Sequence, residues 1–223
     1  MAKRGSPPSC PDWWDDQQDG EQERRQREAV LVRLVAEDCQ RPPTAEMARR
    51  WHRDLFTGIA PHPDYPGNFR HLDDDGPPCL YGVLVFVGNT PGRPPGQVAQ
   101  AVEQFIAEFQ ERVSRLDASW EEKGGRPGPD EVFQMLRLAA WAHGEWVRIH
   151  PFINGNGRTS RLWGNYVFCR YGFAPLAIRP RPGGRYGEAA HLSMRAGDHT
   201  LMAQVYADLL RDQLEDGWQD VPS

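Results

Sequence analysis

Along most of the chain, apolar residues recur at helical spacing and are interrupted by short runs of Pro, Gly and Asp. The first such stretch, EQERRQREAVLVRLVAED, can place Val30, Leu31, Leu34 and Val35 on one face. Thr44 then predicts an N-cap for AEMARRWHRDLF, where Met47, Trp51 and Leu55 recur every four residues. GIAPHPDYPGNFRHLDDDGPP ends this periodicity and reads as a long ordered loop. CLYGVLVFVGN is short, β-branched and aromatic, and is bounded by GNTPGRPPG, so it predicts a strand or one arm of a small hairpin. Residues 97–122 return to helical periodicity, with Val98, Val102, Phe105, Phe109, Val113 and Leu116 near one stripe. After the GGRPGP break, DEVFQMLRLAAWAHGEWVRI is apolar on more sides and is the expected centre of the core. RTSRLWGNYVFCRYG predicts another apolar helix, RPRPGG a linker, and YGEAAHLSMRAG with HTLMAQVYADLLRDQLE one or two more helices. Many long helices and a single credible strand pair predict a mostly α fold with a small β-hairpin.

The rest of the organisation follows from composition. Residues 1–20 are poor in aliphatics and read as a disordered leader, 21–44 as an N-terminal helical segment, 45–212 as the main domain and 213–223 as a tail. A net charge of −5 argues against a surface devoted to nucleic acid, though not against a local anion site. Cys10, Cys39, Cys79 and Cys169 are scattered without a CxxC pair, which suggests incidental thiols in a reducing compartment. With no long uncharged apolar run and no apolar segment after the basic start, a cytoplasmic protein with no membrane partner is expected. His62 in HPDYPG reads as a surface histidine, and DDDG at 73–76 as a solvated turn.

The chemistry concentrates in HPFINGNGRTSR, residues 150–161. Pro151 disfavours the α conformation at His150, so the preceding helix should stop there and hold the imidazole at a loop mouth. Asn154, Gly155, Asn156 and Gly157 can turn successive amides inward as an anion nest, and a helix following from Arg158 would add its N-terminal N–H groups. Arg158 and Arg161, three residues apart, can both reach one polyphosphate, with Thr159 and Ser160 as nearby hydroxyl donors. A histidine on the rim of a phosphate cradle can serve as general base or as phosphoryl acceptor.

This stretch resembles the signature of the Fic domain family (the Fic/Doc, or Fido, superfamily), through His150, Phe152, Gly155, Asn156, Gly157, Arg158 and Arg161. WHRDLF and PGNFR resemble the family's pre-motif helix and glycine-to-arginine loop, and RYGEAAH its tyrosine region near the base-binding side. YGVLVFVGN with PGRPPG takes the place of the flap that clamps the target's backbone, here Leu84, Val85 and Phe86. The resemblance covers residues 45–212. It implies transfer of AMP from ATP to a hydroxyl side chain of a target protein, with His150 as base. The amides of Gly155 to Gly157 and the Arg158 and Arg161 guanidiniums would bind the phosphates, and Asn156 would orient the loop and touch the α phosphate. A Doc-like protein kinase binds the nucleotide in the reverse sense and is an alternative.

Two features depart from the family pattern. Asn154 stands where an acidic ligand of Mg²⁺ is usual, and a neutral amide is a poorer ligand for a hard ion. A slower transferase, one with another substrate, and a non-catalytic nucleotide-binding or interaction module all follow from that change. The [ST]xxxE[GN] pattern with which many members restrain themselves is missing, and EQERRQREAV has glutamates without its spacing. The expectation is therefore a separate antitoxin-like inhibitor or no such control.

Overall fold

A computed structural model describes residues 10–13, 20–124, 127–178 and 183–219, with side chains described through residue 215. Seven α-helices are described: α1 (Glu21–Ala36), α2 (Ala45–Phe56), α3 (Val98–Glu122), α4 (Pro129–Ile149), α5 (Asn156–Arg170), α6 (Arg185–Ala196) and α7 (Thr200–Gln219). One hairpin, β1 (Phe86–Val87) and β2 (Thr90–Pro91), pairs Phe86 with Pro91 and Val87 with Thr90 in antiparallel register. The expected mostly α fold with a small flap is the observed one. No helix among the described residues is long and apolar enough to cross a membrane.

Helix α4 lies at the centre and packs on α3, α5, α6 and α7, as its apolar content predicts. Trp146 and Trp163 are fully buried where α4, α5 and α3 meet, with Phe105 and Phe109 of α3 against them. The α3 stripe is buried along its length. Thr44 caps α2 by accepting the Met47 N–H at 3.1 Å. On α1, Val30 and Leu34 enter the core while Val35 faces outward, so its apolar face is narrower than its sequence suggests.

Three expectations change. The strands of the flap are two residues each, which leaves Leu84 and Val85 before the ladder. One further backbone bond, from the Gly92 N–H to Val85 O at 3.0 Å, flanks the ladder, and the Val83 carbonyl is taken by the Arg70 side chain at 2.8 Å. The leader is packed at Cys10–Trp13: Trp13 is 6% exposed and stacks on Tyr65 at 5.7 Å, and the Tyr65 hydroxyl donates to Pro11 O at 2.7 Å. The remainder of the leader (1–9 and 14–19) lies outside the described residues, as do parts of the GGRPGP break and the RPRPGG linker and the end of the tail. Finally, Cys10 and Cys79, separated by 69 positions, form a disulfide that no local spacing signals, whereas Cys39 and Cys169 are buried thiols.

Candidate active site

His150 ends α4 in the left-handed conformation (φ 53°, ψ 56°), the one non-glycine residue with positive φ among those described. Pro151 explains why the helix stops there, and a polar clamp explains why the strained conformer persists. The clamp is Arg70, 1% exposed, from the PGNFR loop. Its guanidinium donates to the carbonyls of His150 (3.0 and 2.6 Å), Val83 (2.8 Å) and Arg93 (3.0 Å), while its own N–H donates to Pro151 O at 2.9 Å. Burial pulls the Arg70 pKa down to about 10, and the ring of carbonyl oxygens holds the cation without a carboxylate. Gly92 completes the contact between flap and histidine, since a Cβ there would lie 2.6 Å from the His150 Cβ.

The imidazole orientation fixes its chemistry. His150 Nδ1 lies 3.1 Å from Val147 O, and a carbonyl can only accept, so Nδ1 is the donor and, in the neutral ring, Nε2 carries the lone pair. Nε2 is therefore the atom able to take a proton from a hydroxyl.

Gly155 caps α5 with φ 76°, and the helix begins at Asn156, two residues before the expected start at Arg158. Backbone conformation and space both demand glycine there, because a Cβ would sit 2.3 Å from Phe56 and 2.9 Å from His52. Asn156, 2% exposed, closes the loop on itself: its Oδ1 accepts the Phe152 N–H and its Nδ2 donates to Phe152 O, both at 2.9 Å. His52 braces the loop from below, donating through Nε2 to Asn154 O at 3.0 Å, accepting the Gly67 N–H at Nδ1, and stacking on Phe152 at 3.7 Å. Its pKa is pushed down to about 3, first by burial and further by Arg158, so it is a neutral structural group.

The two arginines leave α5 toward different neighbours. Arg158 crosses toward α1 and α2, where its Nε meets Glu23 Oε1 at 2.8 Å and its Cζ lies 5.2 Å from the Phe56 ring centre. Arg161 points toward α6 and donates to the Tyr186 hydroxyl at 3.3 Å, and that hydroxyl lies 2.8 Å from Nε2 of buried His143. Burial, assisted by Arg161 and His199, pulls the His143 pKa down to about 3, so this histidine too is neutral. Thr159 and Ser160 do not face the cradle: both are buried, and their hydroxyls donate back to Gly155 O and Gly157 O. The early start of α5 puts those carbonyls within their reach.

Asn154 is also engaged, donating through Nδ2 to Trp13 O at 3.2 Å and accepting the Gly155 N–H at Oδ1. Among the described residues no group of three metal-ligating side chains lies at this loop. A phosphate chain fits the N-terminus of α5 and its flanking arginines, whereas a Mg²⁺ ion liganded directly by the protein does not fit Asn154 as it stands. Glu23, 4% exposed, is a carboxylate supplied in cis to the first of the two loop arginines, Arg158, and not to Arg161. The contact is made by packing α1 on α5 rather than by a recognisable string.

Arg70, His52 and Glu23 are the site residues that residue patterns did not single out, and each works through a partner distant in sequence. WHRDLF and PGNFR marked the segments that carry two of them, but not their roles.

Residues 42–168 match the Fic/DOC family. A relative from Aedes aegypti named "Protein adenylyltransferase Fic" is 44% identical over 84 residues, 38% of this chain and 17% of that protein. The chain thus spans less than a fifth of the length of such curated relatives. In three dimensions it resembles Fic-1 (residues 134–508) of C. elegans, with TM-score 0.62, 20% identity, and coverage of 87% of this chain and 50% of that one. It also resembles BepC of Bartonella tribocorum, solved with bound AMPPNP, with TM-score 0.51, 18% identity, and coverage of 84% and 85%. With its fold and signature loop described and more than half its length matched to the family, this chain belongs to the Fic/DOC family.

Proposed function

We propose that the protein is an adenylyltransferase that moves AMP from ATP to a hydroxyl side chain of a target protein. The observation that carries this reading is His150, its Nδ1 held against Val147 O at the mouth of the glycine-bracketed loop that opens α5. In the proposed reaction Nε2 takes the proton of the target hydroxyl as its oxygen bonds to the α phosphorus. The bond from that phosphorus to the bridging oxygen breaks, and pyrophosphate leaves. The amides of Asn156 and Gly157, that of Gly155 once it leaves Asn154 Oδ1, and the Arg158 and Arg161 guanidiniums bind the phosphates and stabilise the charge that develops on them. The exposed edge of the flap at Leu84, Val85 and Phe86 pairs with an extended target segment and brings its hydroxyl to His150.

Incubation with α-labelled ATP and cell lysate is expected to label protein bands that disappear in His150→Ala, a loss of at least about a hundredfold for a general base. Label that appears only from γ-labelled ATP would assign the kinase reaction instead. A second reading, a nucleotide-binding module without turnover, draws on the engaged Asn154 amide and on Glu23 against Arg158. It requires equal ATP affinity in wild type and His150→Ala with no mass gain of one AMP on any protein.

A further inference from the structure

The disulfide joins the packed N-terminal segment to a loop that also carries His62 and Asp64. His62 Nε2 lies 3.7 Å from Cys79 Sγ, and one ligand atom each from His62, Asp64 and Cys79 lie within 4.8 Å of one another. Asp64 already faces both neighbours: its Oδ2 accepts the Cys79 N–H at 3.2 Å and lies 3.7 Å from His62 Nδ1. His62 is therefore not the unpartnered surface residue its sequence context suggests. The second sulfur, of Cys10, is bonded to Cys79, so two sulfurs, one imidazole and one carboxylate converge at one place.

The geometry points to a zinc site that forms when this disulfide is reduced, with Cys10, Cys79, His62 and Asp64 as its four ligands. Two thiolates, an imidazole and a carboxylate form a donor set that Zn²⁺ accepts in tetrahedral coordination. For ordinary Zn–S and Zn–N bonds, the S to N edge of such a tetrahedron is about 3.5 Å, close to the separation already present. The two sulfurs must open to about 3.8 Å. Side-chain rotation can supply this from Cα atoms 5.3 Å apart.

The reaction balances with an external dithiol as reductant. Its thiolate attacks the Cys10–Cys79 bond, its second thiol closes it into its own disulfide, and two protein thiols result. Zn²⁺ then displaces the two thiol protons, and the imidazole passes its Nε2 proton through solvent to Nδ1, which gives up the Asp64 N–H it accepts at 3.2 Å. Either linkage, disulfide or zinc, fastens the segment whose Trp13 carbonyl receives the Asn154 Nδ2–H. The site would thus keep that strap in place in a reducing compartment, where the disulfide cannot.

The test uses the full chain, reduced with a dithiol reagent, exposed to Zn²⁺ and freed of loosely bound metal by gel filtration. Zinc is expected to be stoichiometric in the reduced protein and at background in the oxidised protein. It should also fall to background in His62→Ala and in Cys10→Ser, the latter at an exposed position and with its fold checked by circular dichroism. Cobalt in place of zinc should give a thiolate-to-metal charge-transfer band, and Cys39→Ser/Cys169→Ser should retain both signals. Reduced wild type binding no more zinc than Cys10→Ser, a cobalt spectrum without that band, or loss of metal in the Cys39/Cys169 double variant would overturn the assignment. None of these readouts depends on nucleotide transfer.

Discussion

The signature loop and the flap face each other across His150, yet they are built in opposite ways. From His150 to Gly157 the loop is held by buried polar side chains: Arg70 on the His150 carbonyl, His52 on the Asn154 carbonyl, and Asn156 on both backbone groups of Phe152. The flap has one two-residue ladder, and Phe86 at its edge is 58% exposed. Under the proposed function the difference separates two tasks. Proton and phosphate chemistry needs groups fixed to a fraction of an ångström, whereas an extended polypeptide can be received by any exposed edge whose backbone groups seek partners. The fold spends its buried hydrogen bonds on the first task and leaves the second to an open edge.

Arg70 joins the two regions, so its removal should break the contrast altogether. Arg70→Met leaves the carbonyls of His150, Val83 and Arg93 without their donor and is expected to lower stability by about 3 kcal/mol, by analogy with buried groups left unsatisfied. Chemical denaturation should show a lower midpoint, and transfer should fall even where the fold is retained.

Acid should separate the regions next. The folded pKa of His52, about 3, lies below the unfolded value, so the unfolded chain binds more protons below about pH 6.5 and stability falls as pH drops from there toward 3. His143 adds a similar loss, and each amounts to about 2 kcal/mol between pH 7 and pH 5. The flap from Val83 to Gly92 contains no titratable side chain, so its pairing should not contribute. Denaturation midpoints at the two pH values measure the loss, and His143→Phe should reduce the slope by roughly half.

A change confined to the flap should spare the loop. Phe86→Pro is expected to lower target labelling about tenfold, roughly the worth of a lost ladder contact and a distorted strand, with ATP affinity unchanged by calorimetry. A fall in ATP affinity instead would mean that the flap belongs to the nucleotide side.

The smallest expected effect concerns the loop alone. Glu23→Gln removes the carboxylate from Arg158 and should raise ATP affinity by roughly fivefold, about 1 kcal/mol. Unchanged affinity would mean that phosphates displace Glu23 without cost, or that they do not use Arg158.

Where the deciding interactions are local, the sequence was readable. Thr44 caps α2 through a residue three positions away, the α3 stripe follows from one helical period, and Pro151 stops α4 from the adjacent position. The hidden parts depend on partners far along the chain. Arg70 meets His150 across 80 positions, His52 meets Asn154 across 102, and Cys10 joins Cys79 across 69. Thr159 and Ser160 illustrate a third case: as residue types they suit phosphate, but a helix beginning at Asn156 gives their hydroxyls nearer acceptors in its own carbonyls.

The two roots of the flap carry one more implication. Arg70 grips the carbonyls of Val83 and Arg93 with the same guanidinium that grips His150, so the hairpin tip rises from anchors set at a constant distance from the base. A visiting strand that pairs along two residues is registered over about 7 Å. Under the proposed function the flap would act as a ruler, selecting a hydroxyl by how far along an extended segment it stands from the paired residues, so that targets would share a spacing and a local conformation rather than a sequence.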